Sequence, residues 1–163
     1  MRELIPMANR IGERLDAIRI QSLYNRGVLE ETYTCLYLRF EWWVRLVSGG
    51  GSTRAEVTTP PALRAYDLHG GPSQSPITEL PPGHSLQSVI GRRLDEVSEL
   101  VAAGDSLQSY GLELEFEGER LRLLSIDQAS LDVTSGRSEL SDELRRRPVL
   151  RVLASDDAWR SSE

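Results

Sequence analysis

Apolar and polar residues alternate along residues 110–125, and this period of two places the apolar side chains on one face of a strand. The apolar positions are Leu112, Leu114, Phe116, Leu121 and Leu123. Gly118 separates the two runs and indicates a turn near residues 117–119. The pattern therefore predicts an antiparallel β-hairpin.

The same alternation occurs earlier in the chain, over residues 33–48. Its inward positions are Leu36, Leu38, Phe40, Val44 and Leu46, and a turn is predicted near Glu41–Trp43. A further short strand is predicted after each hairpin, at Ala55–Thr59 and at Ser130–Thr134. The two halves of the chain thus carry similar patterns.

Three segments of the first half recur in the same order in the second half. Ile11–Ile18 matches Ile90–Val97 with five of eight residues identical, Leu36–Glu41 matches Leu112–Glu117, and Val44–Ser48 matches Leu121–Ser125. The offsets are 79, 76 and 77 residues, which a few short insertions would explain. We interpret this as an internal duplication. The first repeat spans about 10–68 and the second about 86–155, within a single domain, 1–163.

The opening segment of each repeat is compatible with two structures. Ile90, Leu94, Val97 and Val101 have helical spacing, but an early glycine and β-branched residues favour a strand entered from a turn. We favour the strand. The Gly/Pro connection at residues 69–85 predicts no long regular element.

The predicted fold class is mainly β, with α+β as the alternative. One repeat of roughly 70 residues would have a thin core, so the two hairpin modules are expected to pack as one pseudo-twofold domain. A short helix is predicted at Ser138–Arg146, with Ser138 or Ser141 as its N-cap. Pro148 follows it, and a final strand is predicted at Val149–Leu153.

The composition of the chain indicates the cellular compartment in which the protein is expected. The 163 residues contain one cysteine, Cys35, so no intrachain disulfide can form. There is no run of ~18 apolar residues for a transmembrane helix, and the N-terminus lacks the apolar stretch of a signal peptide. We expect a cytoplasmic protein. All 19 basic residues are arginines, which is typical of a G/C-rich bacterial genome.

Residues that could support catalysis are few. His69 and His84 both lie in the Gly/Pro connection, where we expect solvated side chains. Cys35 has no neighbouring histidine in the sequence and is expected to be a buried thiol. The glycine run at 49–51 lacks the lysine of a phosphate-binding loop. We predict no enzyme activity, no catalytic residues, no cofactor and no metal site.

Charge is distributed unequally along the chain. Residues 1–78 carry a net charge of +1 and residues 79–163 carry −7, for a total of −6. An acidic field repels nucleic acid and attracts basic protein surfaces. We therefore expect a protein partner, with no nucleic acid and no membrane; a homodimer is also possible.

The two repeats differ most on the outward face of the hairpin. The second carries Glu113, Glu115 and Glu117, where the first carries Tyr37, Arg39 and Glu41. The glutamates are either a solvated strand face or an acidic strip that binds a basic partner. Trp42 and Trp43 are consecutive, so one is expected in the core and the other as an exposed contact. The candidate partner-binding residues are Glu113, Glu115, Glu117, Trp42, Trp43 and Tyr37.

Ile90–Leu94 followed by Gly111–Gly118 resembles small bacterial immunity proteins found beside polymorphic toxins. The resemblance covers about 35 residues of each repeat and transfers no functional residue. It implies an antitoxin that binds and occludes a cognate, basic toxin such as a nuclease or deaminase. The alternative is a non-catalytic structural or adaptor subunit that self-associates through the aromatic face of the first repeat. A third option is a small-molecule pocket between the repeats.

Overall fold

In the computed structural model, which describes residues 4–49, 52–104, 109–126, 130–136 and 139–150, the strands form one eleven-stranded antiparallel sheet. The predicted mainly β class is confirmed. The strands are β1 (Ala17–Asn25), β2 (Val28–Arg39), β3 (Trp43–Gly49), β4 (Ser52–Thr58), β5 (Ser73–Gln74), β6 (Ile77–Glu79), β7 (Leu94–Ala102), β8 (Ser109–Phe116), β9 (Glu119–Ile126), β10 (Ser130–Ser135) and β11 (Leu144–Pro148). A four-residue helix, α1 (Ile5–Ala8), precedes β1, and a 3-10 helix (Ser85–Val89) precedes β7.

The strands are arranged as two meanders with the same order. In the first meander β1, β2, β3 and β4 pair in sequence, and the short strands β5 and β6 pair with the outer edge of β1. In the second meander β7, β8, β9 and β10 pair in sequence, and β11 pairs with the outer edge of β7. The two meanders meet where Leu131 of β10 pairs with Tyr33 of β2.

Both predicted hairpins are present. The β2–β3 hairpin contains the predicted segment 33–48, and the β8–β9 hairpin contains 110–125. Glu117 and Gly118 have φ angles of 41° and 96°, as the tight two-residue turn between β8 and β9 requires. The predicted inward side chains form the core, since all are at most 1% exposed: Leu36, Leu38, Phe40, Val44, Leu46, Leu112, Leu114, Phe116, Leu121 and Leu123.

The opening segments of the two repeats bind each other through reciprocal backbone hydrogen bonds. Gly12 N donates to Leu94 O (2.8 Å), and its counterpart Gly91 N donates to Leu15 O (2.7 Å). Leu15 N and Leu94 N likewise donate to Arg92 O and Glu13 O. Each segment turns at a glycine with positive φ and then enters a strand, as we favoured from the sequence. The contacts have the reciprocity of a twofold axis; the duplication itself stays a prediction.

The predicted helix at Ser138–Arg146 is wrong for its described part, residues 139–146. This part of the chain leads into β11, which pairs with β7 in the register Arg147–Glu99. Arg146 and Arg147 form ion pairs with carboxylates on the sheet, and these contacts outweigh a weak local helix preference. The final strand predicted at Val149–Leu153 is also displaced: Val149 and Leu150 lie beyond β11, and residues 151–153 lie outside the described ranges.

Across the described ranges, no helix is both long enough and apolar enough to span a membrane. The Gly/Pro connection contains only β5 and β6, of two and three residues, before the 3-10 helix. This agrees with the absence of a long regular element in that stretch.

Candidate functional site

The outward face of the second meander carries the three glutamates that the sequence singled out. Glu113 is 3% exposed, so the expectation that all three lie on an open acidic face is wrong at this position. The side chains of Glu115 and Glu117 are 18% and 33% exposed. The face is thus covered rather than solvated.

Glu113 lies at the centre of an arginine cluster. Its carboxylate accepts hydrogen bonds from Arg122 at 2.9 Å and from Arg146, and Arg120 lies 3.7 Å away. Burial alone would raise the pKa of the Glu113 carboxyl, but these guanidinium hydrogen bonds and charges outweigh it and hold the pKa below its ordinary value. Glu113 is therefore ionised and paired within the chain.

The other two glutamates are also paired within the chain. Glu115 lies 2.7 Å from Arg120. Glu117 lies 2.8 Å from Arg14 and accepts a hydrogen bond from Arg93 N at 2.6 Å. The carboxylates of the predicted acidic strip are thus partly neutralised by intramolecular contacts.

A second buried carboxylate on this meander was missed by sequence reasoning. Glu99 is 0% exposed and pairs with Arg147 at 2.5 Å, and Ser109 donates a hydrogen bond to it. The only available signal was the run of arginines at 145–147, two of which lay inside the predicted helix. Glu99 and Glu113 together attach β11 to the sheet.

The outward face of the first meander carries a small apolar cluster beside charged side chains. Cys35, Tyr37 and Trp43 form a small cluster there and are 5–7% exposed. Tyr37 donates a hydrogen bond to Gln21 Oε1 at 2.9 Å, so its expected role as an exposed contact is wrong. Burial raises the pKa of the Cys35 thiol, which is the opposite of what a cysteine nucleophile needs.

The two consecutive tryptophans have opposite environments, as their spacing predicts. Trp43 begins β3 and is 7% exposed, whereas Trp42 lies in the preceding turn and is 64% exposed. Consecutive residues in extended chain point to opposite sides, so β3 can bury only one of them on this face. Trp42 is an exposed aromatic side chain held by a tight turn.

Trp42 lies at a surface groove of about 670 Å³. The residues that line the groove are Arg19, Arg39, Glu41, Trp42, Trp43, Val57 and residues 58–60. The Arg19 guanidinium lies 4.9 Å from the centre of the Trp43 ring, and it is held by Glu79 at 3.1 Å and by Pro61 O at 2.5 Å. The groove therefore contains an aromatic ring, that of Trp43, with the Arg19 guanidinium held against it.

Of the two histidines, His84 has a defined structural contact. Its Nδ1 accepts a hydrogen bond from Leu86 N at 3.1 Å, and its Nε2 lies 3.0 Å from the Tyr33 hydroxyl. His84 thus caps the 3-10 helix and is half-buried, which corrects the expectation of a solvated side chain. His69 is exposed. In the described part of the chain, no group of three or more His, Cys, Asp or Glu side chains could hold a metal ion.

The chain was compared with known proteins at three levels. None of the protein-family models, curated proteins or solved structures matches it. The candidate site is therefore defined by its own geometry: an exposed tryptophan beside an aromatic groove with charged walls.

Proposed function

We propose that the protein is a bacterial immunity protein that binds a cognate toxin and occludes the toxin's active site, without catalysis of its own. The observation that carries the proposal is the side chain of Trp42, which is 64% exposed beside the groove. Tryptophan is enriched among the residues that dominate binding energy at protein interfaces. The groove of the first repeat is the proposed binding surface.

The surroundings of Trp42 support a protein partner. Val57, which is 61% exposed, also lines the groove, so a partner that covers both side chains would bury apolar area. Arg39 and Glu41 supply charged groups at the same place. An apolar centre with charged residues around it is the usual composition of a protein-binding surface.

The net charge of the chain supports a basic partner, whereas no direct contact to a basic residue is assigned. Glu113 is buried among arginines, so it does not offer a free carboxylate to a basic toxin. The net charge of −6 still favours the approach of a basic protein at low salt. We therefore place the contact at the groove and assign the acidic charge to steering.

A second candidate is a self-associating adaptor subunit. Val28 and Leu29, at the end of the β1–β2 hairpin, are 68% and 51% exposed. A contiguous exposed apolar patch is one mark of a protein–protein contact. This second surface lies on the same meander as the groove.

The test uses the protein encoded by the gene immediately upstream as the candidate toxin. The affinity of the purified chain for that protein is measured for wild type, for Trp42→Ala and for Leu68→Ala. Leu68 is 85% exposed and does not line the groove, so it is the matched control. We expect Trp42→Ala to weaken binding at least about tenfold, which is the scale of an interface hot spot, and Leu68→Ala to have no effect.

Two results would count against this proposal. Binding that is unchanged by Trp42→Ala would remove the groove from the interface. Absence of any complex, together with a salt-insensitive dimer in sedimentation that Val28→Ser and Leu29→Ser disrupt, would favour the adaptor.

A further inference from the structure

The β2–β3 and β8–β9 hairpins differ at one pair of residues that face each other across the two strands. In the second meander, Glu115 of β8 is directly opposite Arg120 of β9, and the two form a salt bridge at 2.7 Å. In the first meander, Arg39 of β2 is directly opposite Trp43 of β3. The first repeat therefore has a cation and an aromatic ring where the second has a closed ion pair.

This difference leaves Arg39 without the facing carboxylate of the second repeat, and Glu41, which also lines the groove, forms no described ion pair with it. Arg39 is exposed, and among the described residues no carboxylate forms an ion pair with it. Arg19, the other cation of the groove, is already held by Glu79. Arg39 is thus the cation available to a partner, and it lies beside the apolar surface of Trp42 and Trp43.

We propose that the groove binds a segment of a partner protein in which a carboxylate side chain lies next to a bulky apolar side chain. The carboxylate pairs with Arg39, as Glu115 pairs with Arg120 in the other repeat, and the apolar side chain packs against Trp42. Arginine can form a forked contact with a carboxylate, which fixes the orientation of the segment. This inference rests on the groove being the binding surface, and it names the local chemistry of the partner.

The local and overall charges of the chain act over different distances. A net charge of −6 is felt at long range and is screened by salt over about 8 Å at physiological ionic strength. Contacts inside the groove lie within that distance, where the individual charges of Arg39 and Glu41 act instead of the net charge. A basic toxin that presents one acidic–apolar segment satisfies both requirements.

The experiment is a selection of random decapeptides displayed on phage. The full chain is the bait, and the Trp42→Ala chain is used to remove peptides that bind elsewhere. We expect the retained peptides to carry Asp or Glu within two positions of Leu, Phe or Trp. One retained peptide is then synthesised and its affinity is measured for three chains: wild type, Arg39→Glu and Arg145→Glu. Arg145 is exposed on β11 in the other repeat and is the matched control for charge.

We expect Arg39→Glu to reduce the affinity about tenfold, a change typical of a directly contacting charge pair, and Arg145→Glu to leave it unchanged. Replacing the acidic residue of the peptide by lysine should restore binding to the Arg39→Glu chain and abolish it for wild type. Retained peptides without acidic residues, or equal affinity for wild type and Arg39→Glu, would overturn the inference. So would a selection that yields no peptide dependent on Trp42.

These outcomes separate the inference from the proposed function. If the upstream-encoded protein binds through Trp42 but the affinity does not depend on Arg39, the function stands and the acidic–apolar segment is rejected. If the peptides depend on Arg39 but that protein does not bind, the groove chemistry stands and the immunity role is rejected.

Discussion

At the scale of single residues, we expect Trp42 to contribute to binding and Trp43 to contribute to stability. Trp43 packs with Cys35 and Tyr37 under the Arg19 guanidinium, whereas Trp42 is mostly in solvent. We expect Trp43→Ala to lower the free energy of unfolding by about 3 kcal/mol, because it leaves a cavity. Trp42→Ala should change it by less than about 0.5 kcal/mol. Urea unfolding followed by circular dichroism measures both, and equal losses would contradict the assigned environments.

His84 is expected to stabilise the 3-10 helix through one hydrogen bond. The Leu86 N–H can only donate, so Nδ1 of His84 must be the acceptor, and a neutral ring carries its proton on Nε2. We expect His84→Ala to cost about 1 kcal/mol of stability, the usual value of a lost N-cap. His84→Asn should recover most of that loss, because an asparagine oxygen can accept the same hydrogen bond. The check is thermal unfolding of the two variants, with His69→Ala as the exposed control; similar melts for His84→Ala and His84→Asn would reject the cap.

At the scale of elements, β11 is attached to the sheet by two buried carboxylates. Glu113→Gln would remove the carboxylate charge that Arg122, which is 7% exposed, contacts at 2.9 Å. We expect this substitution to cost about 3 kcal/mol, as when one member of a buried ion pair is removed. Asp132→Asn, a half-buried carboxylate on β10, should cost much less. A urea titration of each variant tests the difference.

The same carboxylates predict how stability depends on pH. Arginine hydrogen bonds hold the pKa values of Glu113 and Glu99 below their ordinary values in the folded chain, despite their burial. In the unfolded chain both titrate near about 4.3. Their contribution is therefore complete above that pH and is lost as the pH falls through the folded values. The free energy of unfolding of wild type should fall on acidification below about pH 5, and less steeply for Glu113→Gln. Parallel curves for the two chains would show that Glu113 does not contribute.

At the scale of the whole molecule, the two meanders share one core across the reciprocal hydrogen bonds. Phe40 and Phe116 occupy matching positions in the two hairpins, and their rings stack with centroids 6.4 Å apart and planes 8° apart. We expect a double-mutant cycle of Phe40→Leu and Phe116→Leu to give a coupling energy of about 1 kcal/mol. Phe40→Leu combined with Val101→Ala, near the far end of β7, should be additive. No coupling between the phenylalanines would mean that the repeats do not stabilise each other through this contact.

The sequence predicted the strands and the inward face of each hairpin because both depend on neighbouring residues. Alternation of Leu112, Leu114 and Phe116 with polar residues is a property of extended backbone, and it holds wherever the strand lies. The same argument predicted that one of Trp42 and Trp43 would be buried. It could not say which, because that depends on which element covers the outward face.

Tertiary structure alone decided what covers each outward face. Glu113 is buried because Arg146 reaches it from 33 residues away, and Glu117 is paired with Arg14 from 103 residues away. The same long-range pairing made a strand of Leu144–Pro148, where local propensity favoured a helix. The period of a strand determines to which side a side chain points, but the partner it meets there is set by segments distant in sequence, whose approach leaves no local signal.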